Sequence, residues 1–312
     1  MVAFLLAAYR RVLRAAFPLL HLLGLNVILR SDYYSPLPLA AGLTKKRERW
    51  DRPSEMIGIE LDLDQMKVEL KRLVDQHGDE SEILDYGPAK TLGYGQGFSE
   101  VDAFVLYLMI RDLKPMHYIE VGAGLSTFIV WTTAAVNRRE GSPCEMICID
   151  PYADSRLEEL AGLTVMRRPV QDVALDLYDR LEAHNVLFID STHVVKIDGD
   201  VPHVYLEVLP RLHPGLVIHS HDIHFPFNVP HPAEQYVFDA KWRRFWTEAM
   251  LLQAFLSFNP SYQVMLSTPL LRDHDDDFLA RTLPDYRRLQ AADYDTHHGS
   301  LWYCKVNDDA HS

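Results

Sequence analysis

The chain predicts an α/β fold: a doubly wound, Rossmann-like, mostly parallel seven-stranded sheet with an N-terminal helical extension. Three observations predict it. From His117 onward, short apolar runs alternate with longer amphipathic ones, the order in which strands and helices succeed each other in such sheets. Each short run is nearly all apolar, as expected when helices cover both sheet faces. The first run, His117–Val121, enters Gly122-Ala123-Gly124 and then a helix that opens near Ser126. A turn of that kind lets a ligand approach the unpaired N–H groups of a helix N-terminus.

The first 30 residues read as an amphipathic helix, with Arg10 and Arg14 on one face. Its apolar run, Ala15 to Leu29, is interrupted by Pro18, His21 and Asn26 and falls short of the roughly 20 residues that span a bilayer. Two readings stay open: a helix packed on the domain or on a twin subunit of a homo-oligomer, and a weak membrane-surface contact. Residues 31–55 read as an extended arm rich in Pro, aromatics and charge. Leu63, Met66, Leu70 and Leu73 recur at helical spacing within 60–77. Ser99 is placed to cap a helix beginning at Glu100. The domain boundary is read after residue 84, with a helical extension over 1–84 and the sheet domain over 85–312.

Strands are expected at 117–121, 145–150, 163–168, 185–190 and 215–222, with helices over Ser126 to about Asn137, SRLEELAG, VQDVALDLYDRL and 201–212 between them. Two further strands, 262–269 and 300–306, follow a strong amphipathic helix over 242–258. The run Asp273–Asp277 reads as a solvated face.

Composition narrows the function. A chain of 312 residues with 48% hydrophobic and 24% charged content is an ordinary globular protein. Its net charge of -13 opposes a nucleic-acid partner, which needs clustered Lys and Arg. Three cysteines, Cys144, Cys148 and Cys304, make no disulfide framework and fit a reducing, cytoplasmic setting.

In an open α/β sheet, ligands bind beyond the carboxyl ends of the strands. Glu120, Asp150 and Asp190 fall at such ends. An acid at Glu120 repels a pyrophosphate but suits the ammonium of an amino-acid-type cofactor. The third glycine of a dinucleotide loop is missing, since Leu125-Ser126-Thr127 follows Gly124. Asp150, 26 positions after Gly124, can accept both hydroxyls of a ribose. On the other side, Asp190-Ser191-Thr192-His193 sets an acid at a strand end and an imidazole three residues on, and His221-Asp222 follows the fifth strand. Adjacent fourth and fifth strands bring these groups together. Histidine titrates in the range needed to take a proton from a hydroxyl, and carboxylates with a histidine can hold a divalent cation.

With these residues in place, the chain resembles a class I S-adenosyl-L-methionine (SAM)-dependent methyltransferase. Tyr118–Thr127 matches the family's E-x-G-x-G-x-S motif, Ile147–Asp150 its acidic second motif, and Val186–Asp190 and Gly215–Asp222 its fourth and fifth strands. The resemblance implies SAM as cofactor, with Glu120 facing the amino group, Gly122, Gly124 and Ser126 at the methionine moiety, Asp150 on the ribose, and Gln171 or Asp172 near adenine. The D-x-x-H element also resembles metal-assisted sugar O-methyltransferases of macrolide biosynthesis. That likeness implies His193 as base and Asp190 and Asp222 as metal ligands, with His221 standing where the family carries an acid. Oxygen-rich sets suit Mg²⁺ and a histidine ligand favours a transition metal. The implied acceptor is a small molecule, such as a sugar or polyketide-type hydroxyl. A nicotinamide-dependent oxidoreductase, a metal-dependent hydrolase or hydroxylase on Asp190, His221 and Asp222, and a non-enzymatic SAM-binding protein are the alternatives. The loop before Pro232 and the pair Trp242 and Trp246 are candidates for a lid or for plain packing.

Overall fold

The structure, a computed structural model, describes residues 2–25, 35–79, 97–239, 241–287 and 298–306. The chain divides into two compact units, Met1–Trp50 and Asp51–Ser312.

The first unit is helical. Helix α1 (Val2–Leu22) includes Pro18 and leaves Val12, Leu19 and Leu22 exposed. Where an extended arm was expected, α2 (Ala40–Lys45) and α3 (Arg47–Trp50) form short helices, pinned by a 3.0 Å hydrogen bond from the Trp50 indole to the Leu43 carbonyl. Tyr33 and Tyr34 lie outside the described residues. Among the described residues, no helix is long and apolar enough to cross a membrane.

The second unit is built on one seven-stranded sheet in the order β3-β2-β1-β4-β5-β7-β6. Its strands are β1 (His117–Val121), β2 (Glu145–Ile149), β3 (Leu163–Met166), β4 (Val186–Ile189), β5 (Val217–Ser220), β6 (Tyr262–Ser267) and β7 (Leu301–Lys305). All seven lie where the apolar runs predict them. Strands β1 to β5 are parallel, and β7 runs antiparallel to both β5 and β6. The order reverses at β1, between β2 and β4, so the crevice beyond their carboxyl ends is the place for a ligand. Strand β4, Val-Leu-Phe-Ile, is buried throughout, as a central strand between helical layers must be.

Helix α4 (Leu63–His77) is capped by Asp62, which accepts from Gln65 N–H at 2.8 Å, and buries Met66, Leu70 and Leu73. Helix α5 (Glu100–Leu113) is capped by Ser99 as expected, its hydroxyl accepting from Asp102 N–H at 3.0 Å. Helix α6 (Leu125–Arg139) springs from the glycine turn.

Three expected helices are shorter or tighter than their sequence pattern. SRLEELAG and VQDVALDLYDRL give 3₁₀ turns at Ser155–Glu159, Val170–Asp172 and Leu175–Arg180, because runs this short close i→i+3 bonds without the length to propagate an α-helix. The stretch expected as one helix over 201–212 is α7 (Asp200–His203), a π turn (Val204–Val208) and a 3₁₀ turn (Leu209–Arg211), ending where Pro210 removes a backbone donor. The helix expected from residue 242 begins only as α8 (Glu248–Leu256), because the N–H groups of Thr247 and Glu248 donate instead to the His193 carbonyl, at 2.8 and 3.1 Å. Helix α9 (Thr268–Thr282) takes in the acidic run and is interrupted at Asp275.

Candidate active site

The glycine turn after β1 is fixed by a close approach. Gly122 has φ +93°, and a Cβ there would meet the Asp190 carbonyl oxygen at 1.9 Å. Only glycine fits. The turn thus touches the end of β4 directly. Glu120 is fully buried beneath it, and one carboxylate oxygen accepts from the Ser126 hydroxyl. The other oxygen, Oε2, has no hydrogen-bond partner. Burial pushes the Glu120 carboxyl up to about 8, against the pull of the Ser126 and Thr127 hydroxyls. A buried acid with a free oxygen is suited to an incoming cation.

Asp150 ties the two loops together. Its Oδ2 accepts from Ala123 N–H at 3.1 Å and its Oδ1 from Tyr152 N–H at 2.7 Å. A carboxylate has about four acceptor positions, so two remain for a ligand. Both Asp150 and Gly122 line a cleft of about 410 Å³ that reaches Gln171, Asp190 and Lys196. Gln171 is held there by its amide donating to the Asp198 carbonyl at 2.8 Å. Asp172 is exposed and does not line this cleft, so of the two residues expected near adenine, Gln171 has the placement.

The carboxyl ends of β4 and β5 bring the second group together. One ligand atom each from Asp190, His193 and Asp222 lies within 4.8 Å of the others. His193 Nε2 is 3.2 Å from Asp190 Oδ1 and 3.6 Å from Asp222 Oδ2. His193 and Asp222 both hold left-handed backbones, at φ +59° and +56°, a conformation that costs free energy for non-glycine residues and clusters at functional sites. The histidine of this trio is His193, where His221 was expected to supply the nitrogen. His221 sits beside it: its Nδ1 faces Asp190 Oδ2 at 3.5 Å without a hydrogen bond, and its Nε2 is 3.3 Å from Asp102 Oδ2.

Two carboxylates that the sequence reading missed orient these histidines. Glu248 Oε2, buried at the start of α8, is 2.8 Å from His193 Nδ1. Its Oε1 accepts from the Tyr205 hydroxyl at 2.7 Å. Held this way, His193 presents Nε2 to Asp190 and Asp222, the arrangement by which an outer carboxylate fixes the tautomer of a ligating imidazole. Asp102, fully buried on α5, accepts from Ser99 at 2.8 Å, from Gly299 N–H at 3.1 Å and from the Ser300 hydroxyl at 2.5 Å while facing His221. An acid inside the otherwise apolar run Val101–Ile110 is a signal in the sequence. Glu248 has no such local signal.

Burial opposes a charge on His193, but the hydrogen bonds to Asp190 and Glu248 and the charges of Glu248 and Asp222 outweigh it and raise its pKa to about 10. The bare site therefore holds an imidazolium at neutral pH. Burial raises the Asp222 carboxyl, whereas the Asp190 carboxyl is pulled low by His221 and His193 despite its burial. His219 belongs to the core, its ring stacked on Trp302 at 4.0 Å. Trp246 packs on His193 at 4.6 Å, whereas Trp242 is 74% exposed.

Comparison with known proteins agrees with the resemblance drawn from the motifs. Residues 119–223 match a family described as a methyltransferase domain. An uncharacterized protein of Archaeoglobus fulgidus is 25% identical over 165 residues, which cover 48% of this chain and 72% of that protein. Among solved structures, an O-methyltransferase from Bacillus cereus in complex with SAH is similar at a TM-score of 0.42 and 12% identity, covering 79% of this chain and 100% of that one. The O-methyltransferase TomG of Streptomyces achromogenes, in complex with SAM, is similar at 0.40 and 13% identity, over 80% and 92% of the two chains. The matched family segment runs from β1 to just beyond β5 and contains the glycine turn, Asp150, Asp190 and Asp222. Residues 119–223 are thus the part of this chain that is similar to a methyltransferase domain.

Proposed function

We propose that the protein transfers the methyl group of SAM to a hydroxyl of a small molecule, a sugar or polyketide-type acceptor. The observation that carries this reading is His193 Nε2 standing between Asp190 and Asp222 at the strand ends adjoining the glycine turn. The donor's ammonium fits the free oxygen of Glu120, and its ribose fits the two open acceptor positions of Asp150.

The oxygen–methyl bond forms as the sulfur–methyl bond breaks, and the hydroxyl proton passes to His193 Nε2. His193 needs to be neutral for that. Positive charge next to Asp190 and Asp222 weakens their hold on its proton. Most of the rate comes from holding donor and acceptor in line. No nucleophilic serine or cysteine is required.

Asp190 and Asp222 also suit a divalent cation. His193 Nε2 lies close enough to join them, but its one lone pair either ligates the cation or takes the hydroxyl proton, so with His193 as the base the two carboxylates would hold the cation. His221 Nδ1, buried and without a hydrogen bond, adds a nitrogen donor at the edge of the set. When bound, such a cation supplies Lewis acidity toward the acceptor oxygen. A nitrogen donor beside the carboxylates favours a transition metal such as Zn²⁺ over Mg²⁺.

The test combines calorimetric titration of SAM and SAH with transfer of labelled methyl from SAM to a panel of catechols and sugars. The panel is run after EDTA treatment and again with Mg²⁺ or Mn²⁺ restored. His193→Ala is expected to keep SAH affinity within about threefold and to lower turnover by about 100-fold or more. Equal turnover in the variant removes His193 from the chemistry, and absence of SAH binding to the wild type removes the methyltransferase reading.

A further inference from the structure

We infer that helix α1 is a membrane-surface anchor that lies flat in the interface of an anionic bilayer. The inference goes beyond the methyltransferase reading and does not rest on it.

Charge is divided unevenly along the chain. Residues 1–31 contain four arginines, Arg10, Arg11, Arg14 and Arg30, and no Asp or Glu. The unit Met1–Trp50 holds eight basic residues against two acidic ones, within a chain of net charge -13. All of the acidic excess therefore lies in the other unit. A basic end on an acidic protein suits contact with a negative surface through that end alone.

Helical periodicity sorts this charge onto one side. At 3.6 residues per turn, Arg10, Arg11, Arg14, Pro18 and His21 fall within about a third of the circumference of α1. Tyr9, Val12, Leu19 and Leu22 fall in the apolar arc that makes up the rest. These four are between 55% and 82% exposed, and Leu23 and Leu25 carry the exposed apolar surface past the last turn. Helix α4 shows the contrast, since its apolar side, Met66, Leu70 and Leu73, is buried in the core.

Pro18 fits the same orientation. It is exposed and lies on the basic side, where it withdraws the donor for the Arg14 carbonyl. Water can satisfy that carbonyl, whereas acyl chains cannot.

Charge also selects lipid over a second copy of the chain. A seam between two helices is a narrow apolar stripe flanked by charges of both signs. On α1 the apolar arc covers more than half of the circumference, and the helix carries no acid. Arg10, Arg11 and Arg14 flank the midpoint of Val2–Leu22, so two copies set arginines near arginines whether parallel or antiparallel. An anionic bilayer answers both sides at once: acyl chains receive the apolar arc and headgroups receive the arginines. The helix is not long and apolar enough to cross, so it lies in the plane of the surface.

The experiment floats the full-length protein with vesicles of phosphatidylcholine alone, and of phosphatidylcholine and phosphatidylglycerol at about three to one. Binding to the anionic vesicles is expected to exceed binding to the neutral ones by about tenfold or more, and to fall by about threefold or more between roughly 50 and 300 mM salt. Val12→Glu combined with Leu19→Glu is expected to abolish flotation while the melting temperature stays within about 2 °C of wild type. Replacing Arg10, Arg11 and Arg14 by Gln is expected to weaken anionic binding by about 10- to 100-fold, and this variant decides the matter if the glutamate variant melts early. Absence of flotation, equal binding to both vesicle types, or flotation unchanged in the variants overturns the inference. Sedimentation equilibrium covers the other occupant: a dimer that the glutamate variant splits, with no flotation, assigns the face to a second copy and overturns the anchor.

Discussion

The proposed donor end and the proposed acceptor end of this candidate active site are built in different ways. At the donor end, Glu120, Gly122, Gly124 and Ser126 come from seven consecutive residues, and Asp150 joins them through one neighbouring strand. At the acceptor end, His193 is oriented by Glu248, 55 residues away, and His221 faces Asp102, 119 residues away. A local turn carries the first, whereas packing of distant helices carries the second. Substitutions at the donor end should therefore act on the fold and on SAM together, and those at the acceptor end on turnover alone.

The largest expected effect is Gly122→Ala. Its Cβ falls 1.9 Å from a backbone oxygen that cannot swing away, so the loss should exceed about 4 kcal/mol in urea unfolding. A variant of wild-type stability would show that β1 and β4 do not meet at this turn.

Glu120→Gln should change stability and binding together, in opposite directions. The folded-state pKa of Glu120 is raised to about 8 by burial, so folding favours its protonated form. Wild-type stability from this group is intact below the ordinary glutamate range, declines as pH rises from about 4.5 to 8, and is level above that. The glutamine variant escapes the decline. It should be the more stable protein at pH 9 by about 5 kcal/mol, equal to wild type near pH 4, and unable to bind SAM. A stability difference independent of pH would contradict the buried, protonated acid.

Asp150→Asn should weaken SAM binding by about 1–3 kcal/mol in calorimetry, since the amide keeps one acceptor and loses the charge. Glu248→Gln should lower turnover by about 10- to 100-fold with SAH affinity unchanged, and should move the acidic limb of the pH–rate profile. A change in SAH affinity would merge the two ends that the geometry keeps apart. The smallest effect is expected at Trp242→Ala, where an exposed ring contributes within about 0.5 kcal/mol, while Trp246→Ala should impair turnover through the His193 contact.

Legibility in the sequence follows the same division. All seven strands were readable, because a strand buried on both faces must be an apolar run bounded by turns, whatever its neighbours. Helix lengths were less so. The pattern over 242–258 is strongly amphipathic, yet its first turn is given up to the His193 carbonyl, a partner on another loop. Asp190, His193 and Asp222 were identifiable from the strand ends they follow. Glu248 was not, since one acid at the head of an apolar helix looks like an ordinary helix start.

By itself, the sequence determined the strand succession, the glycine that only a crowded turn requires, and the acids at the carboxyl ends of β1, β2, β4 and β5. Each of these is a local consequence of backbone sterics or of strand burial. Tertiary structure alone decided which histidine joins the two aspartates and which carboxylate turns it. Those outcomes depend on distances between residues far apart in the chain, and electrostatics and hydrogen bonding act through distance in space.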